Sequence, residues 1–327
     1  MGRKPKALIE TSRERMKNQL KKKHYQYISL YPVDGIEKIE SKIHRITLTG
    51  NISFNKLDEN IGPLKENKFY PYSKKGKVYK KMYDGSREGF KYQVFRYPLK
   101  PRIPPIFIQI NPPEGVSIRK HKTFLSSLNM SFSILGLSKI EYTIDLYCED
   151  SIMVKLLFDV LQRTVFFKWQ RDPPTIYAES FSIGKMKNRT IYISEDVKIY
   201  ERGNDKDKKE EGWEEEKIKW VRLENKASKE KLKLEKLFKL SDFLLSCKFF
   251  EMNKDIWKFK KFEGPKRLPS ELDFYPADGT FLGEHFANRK IKKIPKKYIV
   301  DVEELGRLKG GLLDSMKAYD ARWEALV

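Results

Sequence analysis

The feature that most constrains the fold is a series of short segments in which apolar and polar residues alternate with a period of two. Two of these segments lie in the first third of the chain, at Ile46–Thr49 and Phe90–Val94, and a run rich in β-branched residues at Ile106–Ile110, closed by Asn111-Pro112-Pro113, predicts a third strand. Successive side chains of a strand point to opposite faces, so the alternation predicts strands with one face on a core. Further strands are predicted at 139–147, 175–183, 189–194, 196–201 and 217–225.

Helices are predicted between and after these strands. Phe124, Leu125, Leu128 and Phe132 indicate one helix, and Asp150 or Ser151 is expected to cap the next. In that second helix two apolar rows at i, i+4 are expected to form one broad buried face: Ile152, Leu156 and Val160 in one row, and Met153, Leu157 and Leu161 in the other. A long helix is predicted at 228–247, with Leu234, Leu237, Phe238, Ser241 and Leu245 on one face, and a last one near 312–326. The stretch 57–88 has no clear period and is expected to be a loop or insertion.

These patterns divide the chain into three parts. Residues 1–43 are predicted to be a basic leader, 44–249 the main domain, and 250–327 a basic extension punctuated by prolines that forms a second module. Within the main domain, the charged stretch 203–216 is expected to be a solvated hairpin tip.

The net charge of +22, from 67 Lys and Arg against 45 Asp and Glu, favours a polyanionic partner. Nucleic acid is the commonest such partner for a chain without membrane segments. Since no run approaches the roughly 18 apolar residues of a spanning helix, we expect a cytoplasmic protein with no membrane partner. The two cysteines, Cys148 and Cys247, are too few for a thiolate zinc site and are expected to be buried.

Several common chemical signatures do not occur in the sequence. We find no helix-turn-helix, zinc-finger or phosphate-loop pattern. The four histidines are scattered, and none forms the His-x-His pair that holds a metal on one strand face. We expect His44 and His121 to lie at the surface or in local hydrogen bonds.

Carboxylates within predicted strands are the stronger indication of chemistry. In Lys139–Leu146 the two-residue period puts Glu141, Thr143 and Asp145 on one face, and in 219–225 it puts Trp220, Arg222 and Glu224 together. Glu141, Asp145 and Glu224 are therefore candidate ligands of a hard divalent cation such as Mg²⁺ or Mn²⁺. The alternative interpretation is that each carboxylate pairs with a lysine or arginine on an exposed face of the sheet.

Two of these segments also carry a family resemblance. The stretch Lys198-Ile199-Tyr200-Glu201-Arg202, followed by Trp220-Val221-Arg222-Leu223-Glu224, resembles the signature of the trans-acting plasmid rolling-circle replication initiators. Segments resembling the family's earlier strands precede it in the expected order: Ile46–Asn51, Phe107–Pro112 and Lys139–Asp145. The chain departs from the family pattern at Glu141, where aspartate is usual, and at Tyr192–Asp196, where a glycine-x-arginine segment is usual.

The resemblance implies an α+β fold, in which a central antiparallel sheet flanked by helices carries a tyrosine and a metal on one sheet face. It implies a plasmid or phage replication enzyme that nicks and religates one strand of origin DNA through a 5′-phosphotyrosine bond. Tyr200 is the expected nucleophile and Tyr192 its competitor. Lys198, Arg202 and Arg222 are expected to hold neighbouring phosphates, and a homodimer and a host helicase are the expected protein partners.

Two other function classes fit the charge of the chain. The first is a DNA-binding protein without enzymatic activity, of the repressor or packaging type, that uses phosphate contacts alone. The second is an RNA-binding or translation factor, which rests on charge and aromatic content. The first class does not account for the co-occurrence of strand carboxylates with the tyrosine motif in the order of the family, because a carboxylate repels DNA unless a cation lies between them.

Overall fold

A computed structural model describes residues 33–67, 78–132, 135–166, 175–178, 189–194, 196–202, 220–264 and 296–326. Within these ranges the chain forms a large antiparallel sheet flanked by helices, and the predicted α+β class is confirmed. The strands are β1 (Ile36–Gly50), β2 (Lys65–Glu66), β3 (Tyr79–Arg87), β4 (Phe90–Pro98), β5 (Ile106–Asn111), β6 (Gly136–Cys148), β7 (Thr175–Ala178), β8 (Arg189–Tyr192), β9 (Val197–Arg202), β10 (Trp220–Ser228), β11 (Lys260–Phe262) and β12 (Ile299–Asp301).

Ten of these strands form one sheet in the order β2-β3-β4-β5-β1-β6-β10-β9-β8-β7, and β11 pairs with β12 separately. The long strands β1 and β6 lie at the centre and pair antiparallel. Each predicted strand has a counterpart among the described residues, although 179–183 and 217–219 of two predicted strands, and the predicted hairpin tip at 203–216, lie outside the described residues. The expectation of a loop at 57–88 was wrong, because β3 lies there and pairs with β4.

The helices are α1 (Phe54–Ile61), α2 (Ile118–Ser131), α3 (Ser151–Thr164), α4 (Lys229–Leu234), α5 (Leu240–Leu245), α6 (Phe249–Asn253) and α7 (Gly306–Glu324), with 3-10 turns at Lys296–Tyr298 and Glu303–Leu305. The cap of α3 is as predicted, since the Asp150 side chain accepts from the backbone N–H of Met153. None of these helices, within the described ranges, is long and apolar enough to cross a bilayer.

Two helix predictions are corrected. The helix expected at 228–247 is broken into α4 and α5, with Lys236 between them at a φ of 60°, so that Leu234, Phe238 and Leu245 are exposed. In α3, Met153, Leu157 and Leu161 are buried, whereas Ile152 and Leu156 are exposed. Val154, Phe158 and Val160 are buried as well, so the buried face of α3 is rotated around the helix relative to the two rows predicted, and is not narrower.

One face of the sheet is apolar and carries the core. Ile46, Ile140, Ile144, Val197 and Leu223 are buried there with the inner sides of the helices. Leu308, Leu312, Met316, Tyr319 and Trp323 of α7 belong to the same core cluster. The division into 1–43, 44–249 and 250–327 remains a prediction, although β1 already begins at Ile36 and part of the extension packs on the main core.

Candidate functional site

The opposite face of the four neighbouring strands β1, β6, β10 and β9 carries the charged side chains predicted from the sequence. Cross-strand pairing places Arg222 between Asp145 and Tyr200, and Glu224 between Thr143 and Lys198. Paired residues share a face, so these strands form a polar face that comprises Glu141, Thr143, Asp145, Lys198, Tyr200, Arg222 and Glu224. The carboxylates are buried rather than exposed, at 4% for Glu141, 0% for Asp145 and 1% for Glu224.

Tyr200 contacts a carboxylate of the polar face directly. Its hydroxyl donates to Oε2 of Glu224 at 3.1 Å. The other oxygen of Glu224 lies 3.0 Å from Nζ of Lys198, which also sits over the Tyr200 ring. Burial, and then the charge of Glu224, raises the pKa of Tyr200, while Arg222 and Arg202 act in the opposite direction. The phenol is therefore held protonated, with its proton on a hydrogen bond to Glu224.

Glu224 also belongs to a group of three possible metal ligands. One ligand atom each of His44, Glu141 and Glu224 lies within 4.8 Å of the others. Burial and the guanidinium of Arg222 lower the pKa of His44 to about 3, so its imidazole is neutral. Burial raises the pKa of Glu224, but Lys198 and the other nearby cations outweigh burial and the pKa lies below its ordinary value. A neutral imidazole and an ionised carboxylate are the protonation states that bind a divalent cation.

Lysines and arginines border the same group. Nζ of Lys226 lies 3.9 Å from Oε1 of Glu141 and 3.8 Å from Oε1 of Glu224, and Arg45 lies 3.6 Å from Oε1 of Glu141. The pairing of carboxylates with basic side chains, which was the alternative interpretation of the sequence, is thus present. However, the two carboxylates are buried side by side while Lys226 and Arg45 remain partly exposed, so the carboxylates do not lie on an exposed face, and burying each of them costs free energy.

His44 owes its position to an irregularity in β1. Ile43 pairs with Tyr142 and Arg45 pairs with Glu141, so His44 is an extra residue in a β-bulge. The expectation that His44 is a surface or locally bonded residue missed this role. The same expectation was wrong for His121, which is 2% exposed because its ring packs inside the core. The sequence did contain a signal, because the buried Ile43 and Ile46 are three residues apart and a regular strand cannot bury both on one face.

Asp145 lies apart from the three possible ligands, among cations. Its two oxygens accept from Nε and NH2 of Arg222 at 2.6 and 2.7 Å, and Oδ2 lies 2.6 Å from Nζ of Lys42. Of the three predicted ligands, the structure brings Glu141 and Glu224 together and puts His44 beside them where the sequence predicted Asp145.

A cleft of about 1320 Å³ opens over Tyr200 and His44. Eight lysines and arginines line it against two glutamates, Glu40 and Glu114. Arg202 and Lys198, both predicted to bind DNA, lie at its wall, and Arg222 lies at its floor and is fully buried. The predicted competitor Tyr192 lies on β8 opposite Lys198 and is 41% exposed. An anionic strand fits the charge of this cleft.

Comparison with known proteins assigns the chain to no family. No family model matches the sequence, and no curated protein matches it. Among solved structures, the chain is similar to a rolling circle replication initiator protein from Geobacillus stearothermophilus, with a TM-score of 0.39 and 12% identity over 70% of this chain and 90% of that chain. A likeness of this size does not establish a family.

Proposed function

We propose that the protein is a DNA-nicking and religating enzyme of the rolling-circle initiator type, with Tyr200 as the nucleophile. The observation that supports the proposal is the hydrogen bond from the Tyr200 hydroxyl to Oε2 of Glu224. Glu224 is also one of three possible metal ligands, together with Glu141 and His44. A phenol hydrogen-bonded to a carboxylate in a basic cleft is an arrangement suited to attack on a phosphodiester.

The residues of the chain account for the bonds that form and break. Tyr200 Oη bonds to phosphorus as the P–O3′ bond breaks, and the phenol proton leaves along its hydrogen bond to Oε2 of Glu224 and passes on to water, so that Glu224 ends ionised. The leaving 3′-oxygen takes a proton from water, which gives a free 3′-hydroxyl and a 5′-phosphotyrosine. The reverse sequence religates the strand without ATP, because the phosphotyrosine bond conserves the energy of the phosphodiester.

We assign a divalent cation to His44, Glu141 and Glu224. Held by these residues, such a cation would supply positive charge that would favour the phenolate and offset the charge of the transition state. The donor set fits Mn²⁺ better than Mg²⁺, since Mg²⁺ prefers oxygen ligands alone and imidazole suits transition metals. Asp145 was predicted to be a metal ligand; we propose that it orients the guanidinium of Arg222 instead.

A non-enzymatic DNA-binding protein remains the competing proposal, and the polar face argues against it. A protein that only binds phosphates gains nothing from burying Glu141, Asp145 and Glu224 beneath a basic cleft. Each buried carboxylate requires a cationic partner and lowers the positive potential that attracts DNA. Single-stranded origin DNA is the proposed substrate, and the homodimer and helicase contact stay predictions.

The test is covalent adduct formation on single-stranded DNA from the element's own origin, with Mn²⁺. Wild-type protein is expected to give a denaturation-resistant adduct whose phosphotyrosine maps to Tyr200 by mass spectrometry. Tyr200→Phe removes one oxygen and keeps the ring, so it should still bind the DNA but form no adduct.

Tyr192→Phe is the matched control, since it makes the same change on the neighbouring strand. It is expected to retain most of the adduct. An adduct on Tyr192 would reassign the nucleophile, and a wild-type protein that forms no adduct with any origin segment would favour the non-enzymatic proposal.

A further inference from the structure

Glu114 occupies a position where three cations of the cleft converge. Its Oε1 lies 2.6 Å from Nζ of Lys42 and 3.2 Å from NH2 of Arg222, and its Oε2 lies 3.4 Å from NH2 of Arg202. Glu114 belongs to the short segment between β5 and α2, whereas its partners come from β1, β10 and β9. A single carboxylate thus joins three strands of the polar face from outside the sheet.

The local backbone holds Glu114 in this position. The N–H of Val116 donates to the carbonyl of Pro113 at 3.3 Å, and Gly115 has a φ of +72°. This is a tight turn with Glu114 at its second residue and glycine at the position that needs a positive φ. The turn projects the Glu114 side chain into the cleft, where it is 29% exposed and in contact with solvent.

The three cations are arranged as a phosphate site. Lysine and arginine donors that converge on two oxygens of one anion match a phosphodiester, whose two free oxygens share one negative charge as a carboxylate does. Arg222 links this position to the reacting group, because it lies opposite Tyr200 across β9 and β10 and 3.5 Å from Nδ1 of His44. Arg222 is fully buried with Glu114 among its partners, so DNA contacts it only after Glu114 moves.

We infer that Lys42, Arg202 and Arg222 form a binding subsite for one DNA backbone phosphate, and that Glu114 is an internal phosphate mimic which the incoming strand displaces. This inference rests on the proposed function for the identity of the ligand. A solvent-exposed carboxylate on a loop holds its partners weakly, so a phosphate fixed by other contacts of the strand replaces it.

The experiment measures binding of a single-stranded thymidine octamer, without cleavage, to Tyr200→Phe and to Tyr200→Phe with Glu114→Gln. Glu114→Gln keeps the shape of the side chain and removes its charge. Its affinity for the octamer is expected to rise by about tenfold, since the strand no longer competes with the carboxylate for three contacts. The slope of log affinity against log salt should also steepen, because the free subsite carries one more positive charge.

Two matched variants control for the loss of one negative charge from the cleft and for the length of the side chain at position 114. Glu40→Gln removes the same charge from the same cleft, but Glu40 lies 4.0 Å from Lys42 and contacts neither arginine; we expect a change of at most about twofold. Glu114→Asp keeps the charge and shortens the side chain, and should bind with intermediate affinity.

An unchanged or weaker affinity of Glu114→Gln, or an equal gain in Glu40→Gln, would overturn the inference. A gain for inorganic phosphate without a gain for the octamer would also overturn it, because the site would then serve a free anion. The outcome is independent of the nicking proposal. If Glu114→Gln binds the octamer more tightly but the wild-type protein cuts no DNA, the phosphate subsite is supported and the nicking activity is ruled out.

Discussion

Asp145 and Arg222 form a two-bond ion pair in which both residues are fully buried, with nitrogen–oxygen distances of 2.6 and 2.7 Å. The pair lies on adjacent central strands directly beneath the cleft. It fixes the plane of the guanidinium, whose remaining nitrogen donors point toward Glu114 and His44. The position of a cleft-floor cation therefore depends on one aspartate.

The first prediction is that Asp145→Ala destabilises the protein strongly. Removing the carboxylate leaves Arg222 buried beside Lys42 without its main partner, and breaking a buried pair from one side costs about 3–5 kcal/mol. Urea denaturation of the full chain measures the free energy of unfolding. The double variant Asp145→Leu with Arg222→Met should recover much of the loss while remaining inactive, whereas a stability loss under about 1 kcal/mol in Asp145→Ala would contradict the assigned role.

The second prediction concerns the metal group. At about 100 times its dissociation constant, Mn²⁺ should raise the free energy of unfolding by about 2.7 kcal/mol, because it binds only the folded chain. His44→Ala and Glu141→Gln should each weaken Mn²⁺ binding by more than about tenfold, measured by calorimetry. Glu224→Gln is less informative, since it also removes the partner of Tyr200.

The control for this measurement is Glu40→Gln, which removes a carboxylate of the same cleft from outside the metal group. It should bind Mn²⁺ as the wild type does. If His44→Ala retains full Mn²⁺ affinity while Asp145→Asn loses it, the ligand set predicted from the sequence is the better one.

The strands and the grouping of their faces follow from the sequence because burial enforces a period of two. The alternation puts Glu141 and Asp145 on one face of their strand and Arg222 and Glu224 on one face of theirs, and the structure pairs the two strands so that Asp145 lies opposite Arg222. Burial alone also explains why both cysteines lie inside, as expected.

Contacts that depend on irregular backbone, or on segments distant in the chain, could not be predicted from the sequence. His44 enters the site through a bulge, which shifts the alternation by one residue and escapes any strict two-residue pattern. Glu114 lies in a turn that the dipeptide Pro112-Pro113 signals, yet nothing local in that turn specifies its three cationic partners. The broken helix at 228–247 escaped prediction because apolar periodicity continues across Lys236, where the backbone turns.

The third prediction is that binding of single-stranded DNA depends on cleft arginines outside the reacting group. Arg119 lies at the start of α2, is exposed and lines the cleft. Arg119→Ala should weaken binding of any sequence and reduce the salt slope by about 0.7, the value for one single-strand phosphate contact. At saturating DNA it should leave the rate of adduct formation unchanged. A loss of adduct at saturation would give Arg119 a role in the reaction itself.

The last prediction concerns stability in acid and the buried His121. Its ring packs between Phe90 and Trp323, and its Nε2 has no hydrogen-bond partner within the described part of the chain. Burial lowers the pKa of His121 to about 3 in the folded protein, against about 6.5 in the unfolded chain. Below pH 6.5 the unfolded state therefore binds a proton that the folded state excludes, so this contribution to stability is complete above pH 6.5 and is lost as the pH falls. The loss is about 1.4 kcal/mol per pH unit between pH 6.5 and 3.

The variant His121→Leu places an apolar side chain that cannot titrate in the same core position. Its free energy of unfolding should therefore fall less steeply with decreasing pH than that of the wild type, by about 1.4 kcal/mol per pH unit below pH 6.5. Urea denaturation at pH 7.5, 6.0 and 5.0 measures both curves. His44 has a similarly lowered pKa and is present in both proteins, so the difference between the two curves reports His121 alone. Parallel curves would mean that His121 is protonated in the folded protein.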